Sequence, residues 1–257
     1  MNKVFAVSGV VIKEMVRRKD FYVLFVLTVV ITALMGSINL FNEDSIVRYV
    51  KEICLMLIWI STLVIAVTTT ARQIPAERES RTIFPLLAKP ITRTQVMLGK
   101  FVGCWLAVGI ALLVFYTFFS VVSVAREHEL PLANYFQALW LHWMMLGIVI
   151  AATLAGSLVL TTAANIAIVI LIVMGIFLLG EYLNRFAIQA GGLIGWATYA
   201  IYYVIPHLEL FDVRDRIIHN WQTLSWEAML LASLYAAAYI GVFLTASALL
   251  FRRKPLH

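Results

Sequence analysis

The side chains of this sequence that could do chemistry are few and stand far apart. Glu127, His128 and Glu129 offer a weak metal signal and read as a solvated loop. His142 stands in the outer third of an apolar run, where it could line a transport path; a histidine satisfied inside a helical bundle is the plainer reading. Glu181 closes another apolar run. An acid within a membrane is a functional candidate by default, but a boundary position lets this one reach water. Cys54 and Cys104 lie inside apolar runs without a CxxC arrangement and read as small core residues, not as a disulfide or metal pair. GxxxxGK[ST] does not occur, so the chain has no P-loop to hold ATP phosphates. HExxH is missing too, and Ala155-Gly156-Ser157-Leu158 fails the GxSG pattern that an intramembrane serine protease requires. No catalytic constellation results.

The elements that carry these residues explain their scarcity. Of the 257 residues, 62% are hydrophobic and 13% charged, and the mean hydropathy is +0.91. A soluble domain carries roughly twice that charged fraction. Apolar runs of about 20 residues are what a helix rising 1.5 Å per residue needs to cross the hydrocarbon of a bilayer. The chain therefore reads as an all-α polytopic membrane protein and a single transmembrane domain over 1–257. A net charge of +6 in a soluble protein would suggest nucleic acid; here the bases flank apolar runs, and no nucleic-acid partner is expected.

Six spans are predicted, near 21–41, 53–71, 95–125, 135–160, 165–183 and 228–251. Between Leu130 and Gly180 no Asp, Glu, Lys or Arg occurs. That stretch suits two helices with a tight turn, placed at its most polar interior point, Thr161 to Asn165. Phe186 to Pro206 is long enough to span, yet Gly191, Gly192 and Gly195 weaken a lipid-facing helix. It is read as a re-entrant segment, 186–206, whose freed backbone groups need cover from protein or water. Val4 to Val16 mixes apolar and charged residues, as in a helix lying in the membrane interface with Arg17, Arg18 and Lys19 near anionic head groups. The charged stretch from Lys13 to Asp20 precedes the first apolar run, and no small-residue cleavage site comes after it, so a cleavable signal peptide is not expected.

Lys and Arg placement orients the spans. With six spans and both termini cytoplasmic, 14 of the 20 bases lie inside; with a seventh span at 186–206 the inside count is 13. The N-terminus is inside in either arrangement.

That orientation puts Arg72 to Lys100 on the cytoplasmic side and leaves one large internal loop, 72–94, which overlaps the polar stretch from Glu77 to Lys100. Pro75 suits the first turn of a helix, where its missing N–H costs nothing, and Glu77 and Glu79 would sit near the positive end of that helix. Pro85 should kink or stop it, and Lys89-Pro90 pushes the chain extended. Thr92 followed by Gln95 matches a capping box and predicts that the third span starts near Arg93. Ile83, Phe84, Leu86 and Leu87 supply an apolar cluster beside mixed charge, a combination suited to docking a soluble partner.

The stretch ERESRTIFPLLAKPITRTQVMLGKFVG, from Glu77 to Gly103, resembles the cytoplasmic segment of type-2 ABC transporter permeases. The resemblance extends to the six-span plan, the re-entrant run and Ile205 to Asp212. It implies that the segment is a coupling helix seated on an ATP-binding subunit. By that motif, Glu77, Arg78, Glu79, Arg81 and Thr82 form its docking end. Leu86, Leu87, Pro90 and Arg93 set its geometry, and Gly99-Lys100 opens the third span. Arg81 stands where glycine is common, and Pro85 departs from the apolar pattern. Thr161, Thr162 and Asn165 fall where such permeases make a second, minor cytoplasmic contact. The resemblance further implies a bacterial inner-membrane exporter subunit, paired with a second copy or a homologous permease. No cofactor is then bound by this chain, ATP and Mg being held by the partner. The competing reading, a self-contained ion-coupled transporter or channel, requires charged or Pro/Gly-broken spans at mid-membrane, and these spans are nearly free of charge.

Overall fold

The computed structural model describes residues 2–17, 19–37, 43–79, 92–127, 131–190 and 192–253. The described elements are all helical: α1 (Asn2–Arg17), α2 (Lys19–Ser37), α3 (Glu43–Ala71), α4 (Pro75–Glu79), α5 (Arg93–Glu127), α6 (Leu132–Gly156), α7 (Thr162–Ala190), α8 (Gly192–Val204), a 3-10 turn (Leu208–Phe211), α9 (Arg214–Ile218) and α10 (Trp226–Arg253). Five of these, α3, α5, α6, α7 and α10, are long and apolar enough to cross a membrane, and α2 carries a shorter apolar stretch, Tyr22–Leu34. With no water to satisfy backbone groups in a bilayer, apolar runs of this length fold as helices.

α6 is the centre of the bundle. It packs against α3, α5, α7 and α10, and its spanning stretch is the most enclosed of the five. Trp105 of α5 and Trp143 of α6 stack with ring centroids 4.4 Å apart, and each indole N–H donates to the other residue's carbonyl at 3.0 Å. Pairing of this kind satisfies both partly buried donors while adding about 1 kcal/mol beyond area burial. On the other flank, Trp140 Nε1 donates to Ser233 Oγ of α10 at 2.9 Å. α2 leans on α3 through Thr28 and Ser61, whose hydroxyls lie 3.3 Å apart.

α1 buries one stripe, Val7, Ser8, Val11 and Met15, against the first turns of α5. The approach is very close: a Cβ added at Gly99 would lie 2.8 Å from Val7 Cβ, and one at Gly103 would lie 2.8 Å from Val11 Cβ. Ser8 Oγ donates to the Gly99 carbonyl at 2.9 Å. The opposite face of α1, with Phe5, Val10, Lys13 and Arg17, is exposed.

One boundary differs from that read off the sequence. The turn between α6 and α7 occupies 157–161, so Thr162 to Asn165 already form the first turn of α7. Glycine at 156 allows the approach of Asn165, and apolar residues carry the helix from there. α7 runs on to Ala190, so that 186–206 comprises its last turn and the separate helix α8. The break falls at Gly192, whose φ of +55° is a left-handed value that glycine takes without penalty.

At the end of the bundle remote from α1, residues 206–225 fold across α3, α6 and α7. Lys51 of α3, only 2% exposed, donates to the Ile217 carbonyl at 3.4 Å and to Asn220 Oδ1 at 3.3 Å. Gln137 of α6 makes a reciprocal pair with Leu224: Nε2 donates to its carbonyl at 3.0 Å and Oε1 accepts its N–H at 2.9 Å. Within the loop Arg214 grips Asp212 with two side-chain bonds, 2.8 Å to Oδ1 and 2.6 Å to Oδ2, and its guanidinium lies 5.5 Å over the Trp59 ring.

Candidate functional site

The loop between α3 and α5 is built from local signals at both ends. α3 stops at Ala71, a turn follows, and Pro75 opens α4, its fixed φ suiting a first helical turn. At the far side Thr92 and Gln95 form both arms of a capping box. The Thr92 N–H donates to Gln95 Oε1 at 3.0 Å and the Gln95 N–H to Thr92 Oγ1 at 3.3 Å, so α5 starts at Arg93.

Between these ends lies a buried charged cluster that the sequence does not announce. Lys100, two turns into α5, is 2% exposed. Its Nζ donates to the Gln73 carbonyl at 2.8 Å and to Gln73 Oε1 at 3.4 Å, and pairs with Glu77 Oε1 at 2.8 Å. Gln73 Nε2 in turn donates to Glu14 Oε2 of α1 at 3.4 Å. Burying an ammonium costs several kcal/mol unless its donors are satisfied, and here its donors meet acceptors from the turn and from α4. Glu77 Oε2 is buried with no hydrogen-bond partner among the described residues. The cluster thus joins α1, the start of the α3–α5 loop and α5.

Arg93, expected to set the geometry of the docking segment, turns inward. Its Nη1 donates to the Phe251 carbonyl at 2.8 Å, and its guanidinium lies 5.6 Å over the Phe251 ring. A cation at this point complements the negative C-terminal end of α10. Of the other residues assigned to docking, Arg78 and Glu79 belong to α4 by their backbone. Arg81, Thr82, Leu86, Leu87 and Pro90 lie outside the described residues, as do Ile83, Phe84 and Pro85.

The second assigned contact divides. Thr161 is exposed and Thr162 half-buried, with Thr161 Oγ1 accepting the Ala164 N–H at 3.4 Å. Asn165 is fully buried, and its Nδ2 donates to the Thr153 carbonyl at 2.9 Å, clasping the last turn of α6 to the first of α7. Its Oδ1 is buried with no hydrogen-bond partner among the described residues.

His142 is a satisfied bundle histidine: it is buried and its Nε2 meets Thr62 Oγ1 of α3 at 3.1 Å. Cys54 and Cys104 are buried free thiols. Of Glu127-His128-Glu129, Glu127 ends α5 and the other two lie outside the described residues. No group of three or more metal-ligating side chains converges among the described residues.

The described residues thus form a bundle of apolar helices with a charged cluster at one loop. The family model for ABC-2 family transporter protein matches residues 9–256. The chain belongs to that family. No curated protein matches it closely enough to count as a relative. An ABC-2 family transporter protein is the membrane component of an ABC transporter, and its family implies an ATP-binding ABC partner subunit that carries the ATPase. This ABC-2 chain is accordingly a multi-pass membrane protein, with the loop after α3 as its principal polar segment.

Proposed function

We propose that this chain is the permease subunit of an ATP-driven exporter and that the 72–94 loop is where a separate ATP-binding subunit engages it. Both termini lie in the cytoplasm, and the membrane is the bacterial inner membrane. The permease pairs with a second copy or with a homologous permease. ATP and Mg are held by the partner, so no residue here is catalytic. When ATP draws the soluble subunits together, the loop moves and the helices shift about the interface of the pair. ATP achieves this only by favouring one bundle arrangement through contacts that differ between the two.

The observation that supports this reading best is the anchoring of the loop. Glu77 at its start is paired with Lys100 of α5, and Arg93 at its end is bound to the C-terminal turn of α10. A load applied to this loop therefore reaches two spanning helices through charged contacts, while a passive connection needs no such ties.

The test is charge reversal at the docking end. The variants E79K and R81E, and the double, are expressed with a tag on this chain, and insertion is verified. The expected result is loss of the co-purifying ATP-binding subunit and of transport. Retained association and transport in the double variant would overturn the assignment.

A further inference from the structure

We infer that Lys100 is a positioning residue for coupling, the middle of a relay Glu77–Lys100–Gln73–Glu14 that ties the loop after α3 to both α5 and the interfacial helix α1. The inference rests on the coupling reading and adds to it a route and a component, α1, that the docking segment does not contain.

The chemistry of the cluster argues for a directional device. A lysine stem in a packed apolar setting would be served as well by methionine, and a buried ion pair is often no more stabilising than the apolar residues that could replace it. Lys100 instead directs its donors to one turn and one side chain, the carbonyl and amide oxygen of Gln73 and the carboxylate of Glu77. One of these residues lies in the turn that joins α3 to α4 and the other in α4, so the ammonium is satisfied only while that junction keeps one shape relative to α5. Gln73 passes the constraint on through Nε2 to Glu14 of α1. α1 cannot slide independently of α5, because Val7 and Val11 sit against the bare backbone of Gly99 and Gly103 and Ser8 is bonded to the Gly99 carbonyl. Glu77 belongs to α4 at the start of the loop, so the relay has one end on that loop and the other on α1. A displacement of the loop is thereby converted into a joint movement of α1 and α5, and α4 moves alone only if the Lys100 contacts are broken.

The experiment uses the whole complex, purified from native membranes through a tag on this chain and reconstituted in lipid. Nitroxide labels are placed at V121C near the remote end of α5 and L230C near that of α10, both exposed positions; the native cysteines, both wholly buried, stay unlabelled. The readouts are co-purification of the ATP-binding subunit, ATP hydrolysis, and the change in label-to-label distance when ATP and vanadate are added. K100M is expected to keep the partner bound and hydrolysing while the ATP-dependent distance change is lost. K100R is expected to restore it, since a residue that merely fills space would be served at least as well by methionine. E14A, on a half-buried residue of α1, is expected to reduce the change with assembly intact, and it decides the matter should K100M fail to insert. A native distance change in K100M or in E14A overturns the relay while leaving the coupling reading in place. A wild-type complex that carries no ATP-binding subunit overturns the coupling reading, and the relay with it.

Discussion

At the residue scale, the start of α5 depends on a reciprocal cap. Thr92 and Gln95 each satisfy an amide that the first turn would leave without an intrahelical partner. T92A removes one arm and is expected to cost about 1 kcal/mol, seen as a lowered midpoint in thermal unfolding of the detergent-purified protein. Q95A should cost a similar amount, and the double less than the sum, because the arms support one conformation. This cap was legible in the sequence because its partners are three residues apart. Lys100 was not. It reads there as a basic residue close to the interface, whereas its acceptor Gln73 is 27 positions away and the link from Gln73 to Glu14 crosses 59 more. Arg93 is a similar case, since the carbonyl that it binds lies 158 positions further on. Sequence spacing carries no record of such pairs.

At the scale of elements, the seam between α1 and α5 depends on two small residues. G103L would drive a side chain into Val11 and the Ser8 backbone, and overpacking of that kind costs about 1–3 kcal/mol. The expected result is an α1 displaced from the bundle and cleaved faster by protease added on its own side of the membrane, with the spanning helices retained. An amphipathic first helix was apparent from its mixture of apolar and charged residues. Which stripe faces protein was not, because Phe5 and Val10 are as apolar as Val7 and Val11 yet are exposed. The glycines on α5 decide it, by giving one stripe a surface that it can approach. The helices α7 and α8 make the same point differently. Composition marked 186–206 as unusual, but the helix break falls where a single glycine adopts a left-handed conformation, not where the apolar run begins.

At the scale of the whole molecule, the bundle is closed at its remote end by a loop held by polar side chains. Burial acts to raise the Asp212 carboxyl, but the hydrogen bonds and charge of Arg214 outweigh it and hold the group below the ordinary aspartate range. A carboxyl lowered in this way contributes stability that is complete above its unfolded value, about 4, and is lost as pH falls through the lower folded value. D212N is expected to destabilise the loop at pH 7 by about 1–2 kcal/mol, the lower part of the range for charge-assisted bonds because both partners are partly exposed. Amide exchange over residues 208–220, compared between wild type and D212N at each pH, should show a difference that narrows as pH falls below about 4. A difference constant from pH 7 downward would mean that the pair contributes nothing through charge.

Short-range geometry and the solvent account for everything that the sequence by itself determined about this protein. Runs of about 20 apolar residues have to be helices in a bilayer, because no other open structure satisfies their backbone. Pro75 and the Thr92–Gln95 pair mark helix starts because capping is decided within one turn. The family that the sequence matches implies an ATP-binding ABC partner subunit. Only the tertiary structure decided which polar residues face inward. Lys100, Arg93, Lys51 and Asn165 look in sequence like loop or interface residues, and each is committed to a partner on another helix or across a turn. The reason is energetic: burying a polar group costs least where acceptors or donors converge on it, and convergence is a property of packed helices, not of any one of them.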